Sequence, residues 1–190
     1  GPAEVMAFPQ NPQELAHILK VSKELDITCA ILGAGTNILA PDEGCRGLII
    51  CLKDCLGGME LLPGNCIRVM AGVTMARAAV FAANHGLSGL EFAHGIPGTV
   101  GGGVYMNAGA YGGEMSGICR SVTLMDGAGQ LREVNARELE FSYRHSKLQE
   151  SGEIVISAAL QLQPAAPEEV KQKMRELQAK RLASQPLDYP

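Results

Sequence analysis

Between Gly86 and Gly117 the chain places 11 of its 23 glycines. That stretch holds His94-Gly95-Ile96-Pro97-Gly98-Thr99-Val100-Gly101-Gly102-Gly103 and Met106-Asn107-Ala108-Gly109-Ala110-Tyr111-Gly112. Backbone so stripped of side chains must approach another object closely or take up φ angles that other residues avoid. Pro97 fixes one torsion, Gly98 frees the next, and the glycines at 101–103 let the chain pass a ligand with no side chain in the way. A second loop, Gly33-Ala34-Gly35-Thr36-Asn37, follows an apolar run at 27–32 and offers converging N–H groups of the kind that hold an anion. Two such loops in one short chain suggest the two phosphates and the ring system of a dinucleotide.

The common nucleotide signatures do not fit. A GxGxxG fingerprint beginning at Gly33 fails at its third glycine, where Ile38 stands. Gly98 and Gly103 have the spacing of a triphosphate loop, but Val104 occupies the place of its lysine. A kinase or ATPase is therefore not expected.

The formal charge of -4 and the lack of a long basic run give no footprint for nucleic acid or an anionic membrane. The six cysteines, at 29, 45, 51, 55, 66 and 119, form no CxxC pair and have no histidine at ligand spacing, so no metal site is expected. They read as buried thiols of a reducing cytosol. No segment resembles a secretory leader or approaches the ~20 apolar residues of a membrane span, and a cytoplasmic location is the expectation.

The 190 residues suffice to bury about 70% of the unfolded surface without disulfides. Asn11-Pro12-Gln13-Glu14 carries a cap, a proline at the first helical position and a glutamate placed to bond back. Leu15, Ile18, Leu19 and either Ser22 or Leu25 then continue at helical spacing. With a buried strand at 27–32 and another at 48–52, this predicts a small α/β unit over residues 1–55. A second unit, 56–165, has a strand at 67–71 and a helix capped by Thr74 that runs through Ala76, Ala79, Val80 and Ala83 until Gly86 stops it. It continues with a hairpin turning at Asp126-Gly127-Ala128-Gly129, a short helix capped by Asn135 and a strand at 154–162. Residues 166–190 read as a charged helix and a linker. The ends, Gly1-Pro2-Ala3 and Pro190, suggest a piece of a longer protein.

Leu32-Gly33-Ala34-Gly35-Thr36-Asn37-Ile38-Leu39, Gly95-Ile96-Pro97-Gly98-Thr99-Val100-Gly101-Gly102, Asn107-Ala108-Gly109-Ala110-Tyr111-Gly112, Ser142-Tyr143-Arg144-His145-Ser146 and the closing Gln185-Pro186-Leu187-Asp188-Tyr189-Pro190 together resemble the UDP-N-acetylenolpyruvoylglucosamine reductases, the MurB flavoenzymes. The resemblance runs the length of the chain. It implies an α+β, two-subdomain FAD-binding fold of the vanillyl-alcohol-oxidase (PCMH) type. It also implies a reaction in which NADPH supplies hydride through FAD to the enolpyruvyl ether of UDP-N-acetylglucosamine, while an enzyme acid protonates the neighbouring carbon. By that resemblance Arg144 is the catalytic cation on the substrate carboxylate, and Tyr143 packs beside it or the flavin. Gly33, Ala34, Gly35, Thr36 and Asn37 surround the pyrophosphate. Gly98, Thr99, Gly102, Asn107, Ala108, Gly109, Ala110, Tyr111 and the backbone of Ile156 line the flavin and its ribityl chain. His145 is expected to face solvent, Ser146 to help hold the loop, and His94, Glu91 and Phe92 to be structural. The implied partners are a UDP-sugar and NADPH, with the protein acting as a monomer.

In the family the proton donor is a serine in an Ala-Gly-Ser-x-Phe-Lys segment after a Pro-Leu-Asp-Tyr-Pro stretch. No such serine occurs in this sequence, so the 190 residues are expected to bind FAD without completing the reaction. Two other readings fit the residues: an FAD domain of another oxidase or dehydrogenase of the same superfamily, and a flavin-binding module without chemistry.

Overall fold

The structure is a computed structural model that describes residues 1–184; the Gln185-Pro186-Leu187-Asp188-Tyr189-Pro190 motif and the end of the 166–190 segment lie outside the described residues. The chain opens with β1 (Ala3–Ala7) and α1 (Pro12–Glu24). Asn11 Oδ1 accepts the Glu14 N–H at 2.8 Å, and the Glu14 carboxylate accepts the Gln10 N–H at 2.8 Å. Two donors near the open end of the helix are thereby satisfied. Leu15, Leu19 and Ser22 face the core, while Leu25 is exposed. β2 (Cys29–Leu32) and β3 (Cys45–Cys51) complete a parallel sheet of order β1-β3-β2. The strand expected to be buried at 27–32 is instead this short edge, with Ile27 and Ile31 exposed. An edge has a neighbour on one side only, and the central place goes to β3.

The remaining elements are β4 (Met59–Leu62), β5 (Cys66–Met70), α2 (Met75–Asn84), β6 (Leu87–Ser88), α3 (Val100–Tyr105), β7 (Gly109–Ala110), β8 (Gly113–Glu114), β9 (Cys119–Met125), β10 (Leu131–Asn135), α4 (Leu148–Ser151), β11 (Ile154–Gln161), β12 (Gln163–Pro164) and α5 (Pro167–Ser184). An antiparallel sheet of order β10-β9-β11-β5-β4 dominates this part. Its central strand β11 is buried from Ile154 through Leu160, as a continuous apolar run between turn signals requires. Asp126 Oδ1 shapes the β9–β10 hairpin by accepting the Ala128 and Gln130 N–H groups at 2.8 and 2.9 Å. Asn135 and Glu138 close a capping box over the 3-10 turn Ala136–Leu139.

Thr74 caps α2, but the buried face is Met75, Ala78, Ala79, Ala82 and Ala83; Ala76 lies off it and Val80 is exposed. Met75, the first residue of α2, is buried beneath α3. That helix departs from the expected irregular loop: three consecutive glycines lie in it. A Cβ on Gly101 would stand 2.8 Å from Ala71 Cβ, and one on Gly103 would stand 2.8 Å from Met75 Sδ. These two glycines therefore let α3 press against the β5 end and α2; of the three, only Gly102 is exposed.

One apolar core joins the two sheets, with Leu15 of α1 and Ile50 of β3 on one side and Ile67, Leu124 and Leu160 of the larger sheet on the other. α5 seats Val170 and Met174 against α2 and the 3-10 turn Glu91–Ala93. No helix among the described residues is long and apolar enough to cross a membrane.

Candidate functional site

A cleft of about 1180 Å³ opens at the carboxyl end of β2 and runs past the start of α3 to the segment carrying Arg144. That is more room than the ~300–1,000 Å³ of a drug-sized pocket. Its first wall is residues 33–38. The N–H groups of Ala34, Gly35, Thr36 and Asn37 find no acceptor among the described residues, so they remain available to a ligand. This loop is joined to the second glycine loop by Thr36, whose Oγ1 donates to the Pro97 carbonyl at 3.0 Å. A Cβ on Gly33 would lie 2.7 Å from Thr99 Oγ1, so only glycine permits this approach. Thr99 itself caps α3 through a 3.4 Å contact from the Gly102 N–H.

The opposite wall is built around Arg144. Ser142 and His145 exchange backbone hydrogen bonds at 3.1 and 3.2 Å, which leaves Tyr143 and Arg144 at the tip of a tight turn. Arg144 has a φ of +54°, a left-handed conformation that a side chain disfavours and that occurs disproportionately at functional sites. Three side chains hold the turn. Asn107, 3% exposed, donates from Nδ2 to the Ser142 carbonyl at 3.0 Å and accepts the Ser116 N–H at 2.9 Å. Ser146 Oγ donates to the Tyr105 carbonyl at 2.7 Å. Gln149 Nε2 donates to the carbonyls of Arg144 and Tyr105 at 3.2 and 3.3 Å.

The charges sort cleanly. Arg144 has no carboxylate within 4 Å among the described residues, because Glu140, the obvious candidate, pairs with Lys147 at 2.5 Å. The hydrogen bond from Lys147 holds the Glu140 carboxyl below its usual range. The Arg144 guanidinium instead lies 5.9 Å from the Tyr143 ring centroid. Glu153, at the cleft edge, accepts two bonds from Arg132 at 2.6 and 2.7 Å, and these pull its pKa down. The lining between the two walls is apolar in part, with Leu52, Ala71, Met75 and Val155.

Gly33, Ala34, Gly35, Thr36, Asn37, Gly98, Thr99, Gly102, Ala108, Gly109, Ala110, Tyr111 and Arg144 all line this one cleft. Three expected residues do not. Both ends of the Asn107 amide are committed to holding backbone. Tyr143 is 88% exposed at the tip of its turn. Ile156 is the extra residue of a bulge between β11 and β9, and its carbonyl accepts the Ala71 N–H at 2.9 Å, so Ile154 and Val155 form the wall there. His145, expected to face solvent, pairs with Glu150 at 3.3 Å. Ser88 and Gly89 donate to the buried Glu91 at 2.6 and 2.8 Å. His94 is not part of the cleft lining, and its buried Nδ1 has no partner among the described residues. Gln149, Tyr105 and Arg181 also line the cleft; no motif in the sequence marks them.

These features suit a flavin dinucleotide. Backbone donors at 34–37 have no acceptor among the described residues, glycines along both loops leave room for close approach, and apolar groups line the space between the walls. A family profile described as an FAD binding domain matches residues 3–135. The UDP-N-acetylenolpyruvoylglucosamine reductase of Lactobacillus acidophilus is 45% identical over the whole chain and 63% of its own length. The enzyme of the same name from Streptococcus thermophilus is 42% identical over the whole chain and 62% of its length. Among solved structures, UDP-N-acetylenolpyruvylglucosamine reductase (MurB) from Thermus caldophilus superposes with a TM-score of 0.77 at 33% identity, covering 98% of this chain and 65% of that one. Cholesterol oxidase from Brevibacterium sterolicum, at 15% identity, a TM-score of 0.63 and coverage of 84% of this chain and 34% of that one, shares the fold alone. The chain thus spans somewhat less than two thirds of the reductases it matches. With the profile extending over more than half of its residues and the mixed helix-and-sheet architecture in agreement, the chain belongs to the FAD-binding domain family.

Proposed function

We propose that this chain is the cofactor-holding portion of a UDP-N-acetylenolpyruvoylglucosamine reductase. The complete activity would use NADPH to convert UDP-N-acetyl-enolpyruvoylglucosamine to UDP-N-acetylmuramate, in the cytoplasm and as a monomer. Residues 1–55 and 56–165 would form the two halves of the cradle, with 166–190 leading away from it. The observation that carries this reading is the joining of two glycine loops with unspent N–H groups to a fastened arginine across one cleft, in a chain 45% identical to such a reductase.

Bound FAD would supply two-electron hydride chemistry. The N–H groups of residues 34–37 would hold its diphosphate, and Gly102 would leave the start of α3 open to the ligand. Hydride addition to an enolpyruvyl group pushes negative charge onto the adjoining carboxylate. Arg144, free of other carboxylates and held by Gln149 and the Ser142–His145 bridge, is placed to meet that charge with a planar fork. A cation fixed before the reaction stabilises developing charge without reorganising during it. The apolar groups at Leu52, Ala71 and Val155 would keep water from the ring.

The visible absorption spectrum of the purified protein, before and after denaturation and filtration, tests the cradle. Releasable yellow flavin, or uptake of added FAD by a colourless preparation, is the expected result. A protein that neither carries nor takes up FAD refutes the reading. Bleaching by NADPH under anaerobic conditions then separates a working reductive half from a passive flavin binder.

A further inference from the structure

Helix α5 turns one stripe inward, and the stripe ends in a cation. Val170, Met174, Leu177 and Arg181 follow one another at spacings of four, three and four residues, which places them on one face. Val170 and Met174 are buried and the other two are half-buried. The position that would continue the apolar seam is thus Arg181, at the edge of the cofactor cleft. Gly95 makes room for it: a Cβ there would lie 3.1 Å from Arg181 Cδ and 3.9 Å from Nη1. Among the described residues no carboxylate lies within 4 Å of the guanidinium.

The rest of the cleft makes this charge conspicuous. Residues 33–39 and 95–112, the two glycine loops, contain no lysine or arginine. Glu153, an anion of the lining, is occupied by Arg132. Two cations line the cleft, Arg144 and Arg181. Arg144 belongs to the turn opposite the loop at 33–38, whereas Arg181 lies against Gly95, two residues from the Pro97 carbonyl that binds Thr36. A diphosphate lodged between the joined loops therefore has backbone N–H groups on one side and Arg181 within the same cleft, with its fork free to engage two oxygens.

We propose that Arg181 is the fixed counter-charge for the diphosphate of the bound dinucleotide, so that cofactor binding pins the last turn of α5 to the glycine loops. This rests on the flavin reading above. A second explanation, that Arg181 merely complements the C-terminal dipole of α5, requires no ligand and predicts a lowered melting temperature of the apoprotein.

The decisive measurement is the dissociation constant of FAD and of riboflavin, which lacks phosphate, for the wild-type chain, Arg181→Ala and Arg181→Lys, by quenching of flavin fluorescence. Arg181→Ala should weaken FAD binding roughly 10- to 100-fold, the range of a lost charge-assisted hydrogen bond. It should leave riboflavin affinity and apoprotein melting unchanged and flatten the salt dependence of FAD binding. Arg181→Lys should fall between. Hydrogen exchange should show residues 177–184 protected by FAD in the wild type and not in Arg181→Ala. Unchanged FAD affinity in Arg181→Ala overturns the assignment, as does an equal loss for riboflavin, which would mark a packing defect. A loss confined to NADPH or UDP would give the residue to another phosphate and also overturn it. A wild-type chain that binds neither flavin refutes the cofactor reading itself, a result distinct from all of these.

Discussion

The two walls of the cleft are built on opposite terms. Along residues 33–38 the wall offers mainly backbone N–H groups, and among the described residues two side chains tie it down, Thr36 at the Pro97 carbonyl and Cys51, whose Sγ donates to the Gly33 carbonyl at 3.8 Å. Around Arg144 the wall is fastened by Asn107, Ser146 and Gln149, each bonded to a backbone group distant in sequence or across the turn. On the proposed function, the difference follows from what each would hold. A diphosphate can be met by several N–H groups, none of which needs an exact place. A single guanidinium that is to meet a charge appearing during reaction must be set beforehand, and the left-handed backbone that sets it opposes itself by about 1–2 kcal/mol.

The sharpest way to break this contrast is Arg144→Ala in a protein with the full span of the reductase relatives. Turnover should fall by roughly two to four orders of magnitude with flavin content unchanged; near-normal turnover would remove Arg144 from catalysis. Next in size is Asn107→Ala, which removes the partner of the Ser116 N–H and of the Ser142 carbonyl in a partly buried place. Thermal unfolding should show a loss of about 2–4 kcal/mol, and a wild-type melting curve would mean the wall is not fastened as described. Thr36→Val deletes the tether between the two glycine loops; a FAD affinity lowered about fivefold is expected, in keeping with a neutral hydrogen bond near 1 kcal/mol, with little change in melting.

The smallest effect belongs to Glu153→Gln. Glu153 is held below its ordinary pKa chiefly by the hydrogen bond from Arg132, so its folded form binds a proton less readily than the unfolded chain. Its contribution is complete above the unfolded value, about 4.3, and is lost as pH falls through the depressed folded value. Wild type should therefore melt slightly above Glu153→Gln at pH 7, with the gap closing in acid. A gap that widens in acid would show that the Arg132 bond is not its source.

Much of this architecture was legible wherever the signal was local. The caps at Asn11, Thr74 and Asn135 and the Asp126 turn each act within four residues of themselves, and a glycine loop announces itself in the same way. β4 was not legible: Glu60 interrupts its apolar run and takes its partner, Arg68 at 2.7 Å, from the neighbouring strand. The bonds from Asn107 to Ser142 and from Gln149 to Tyr105 were hidden because they span 35 and 44 residues. Arg181 sits in a helix whose composition reads as a solvated face, and only the packing of α5 brings it to the cleft. The glycines of α3 were misleading in an instructive way. Two of the three answer to the core, and only the third to the ligand side.

A helix made from Val100-Gly101-Gly102-Gly103-Val104-Tyr105 has almost no tendency to form alone: three glycines in place of alanines disfavour it by roughly 3 kcal/mol. It exists because Ala71 and Met75 wait on the other side, and those residues must be in position first. During folding, then, α3 is a late arrival, and substitutions at 101–104 should speed unfolding far more than they slow folding. The side of the cleft formed by α3 is therefore completed only once Ala71 and Met75 are packed behind it.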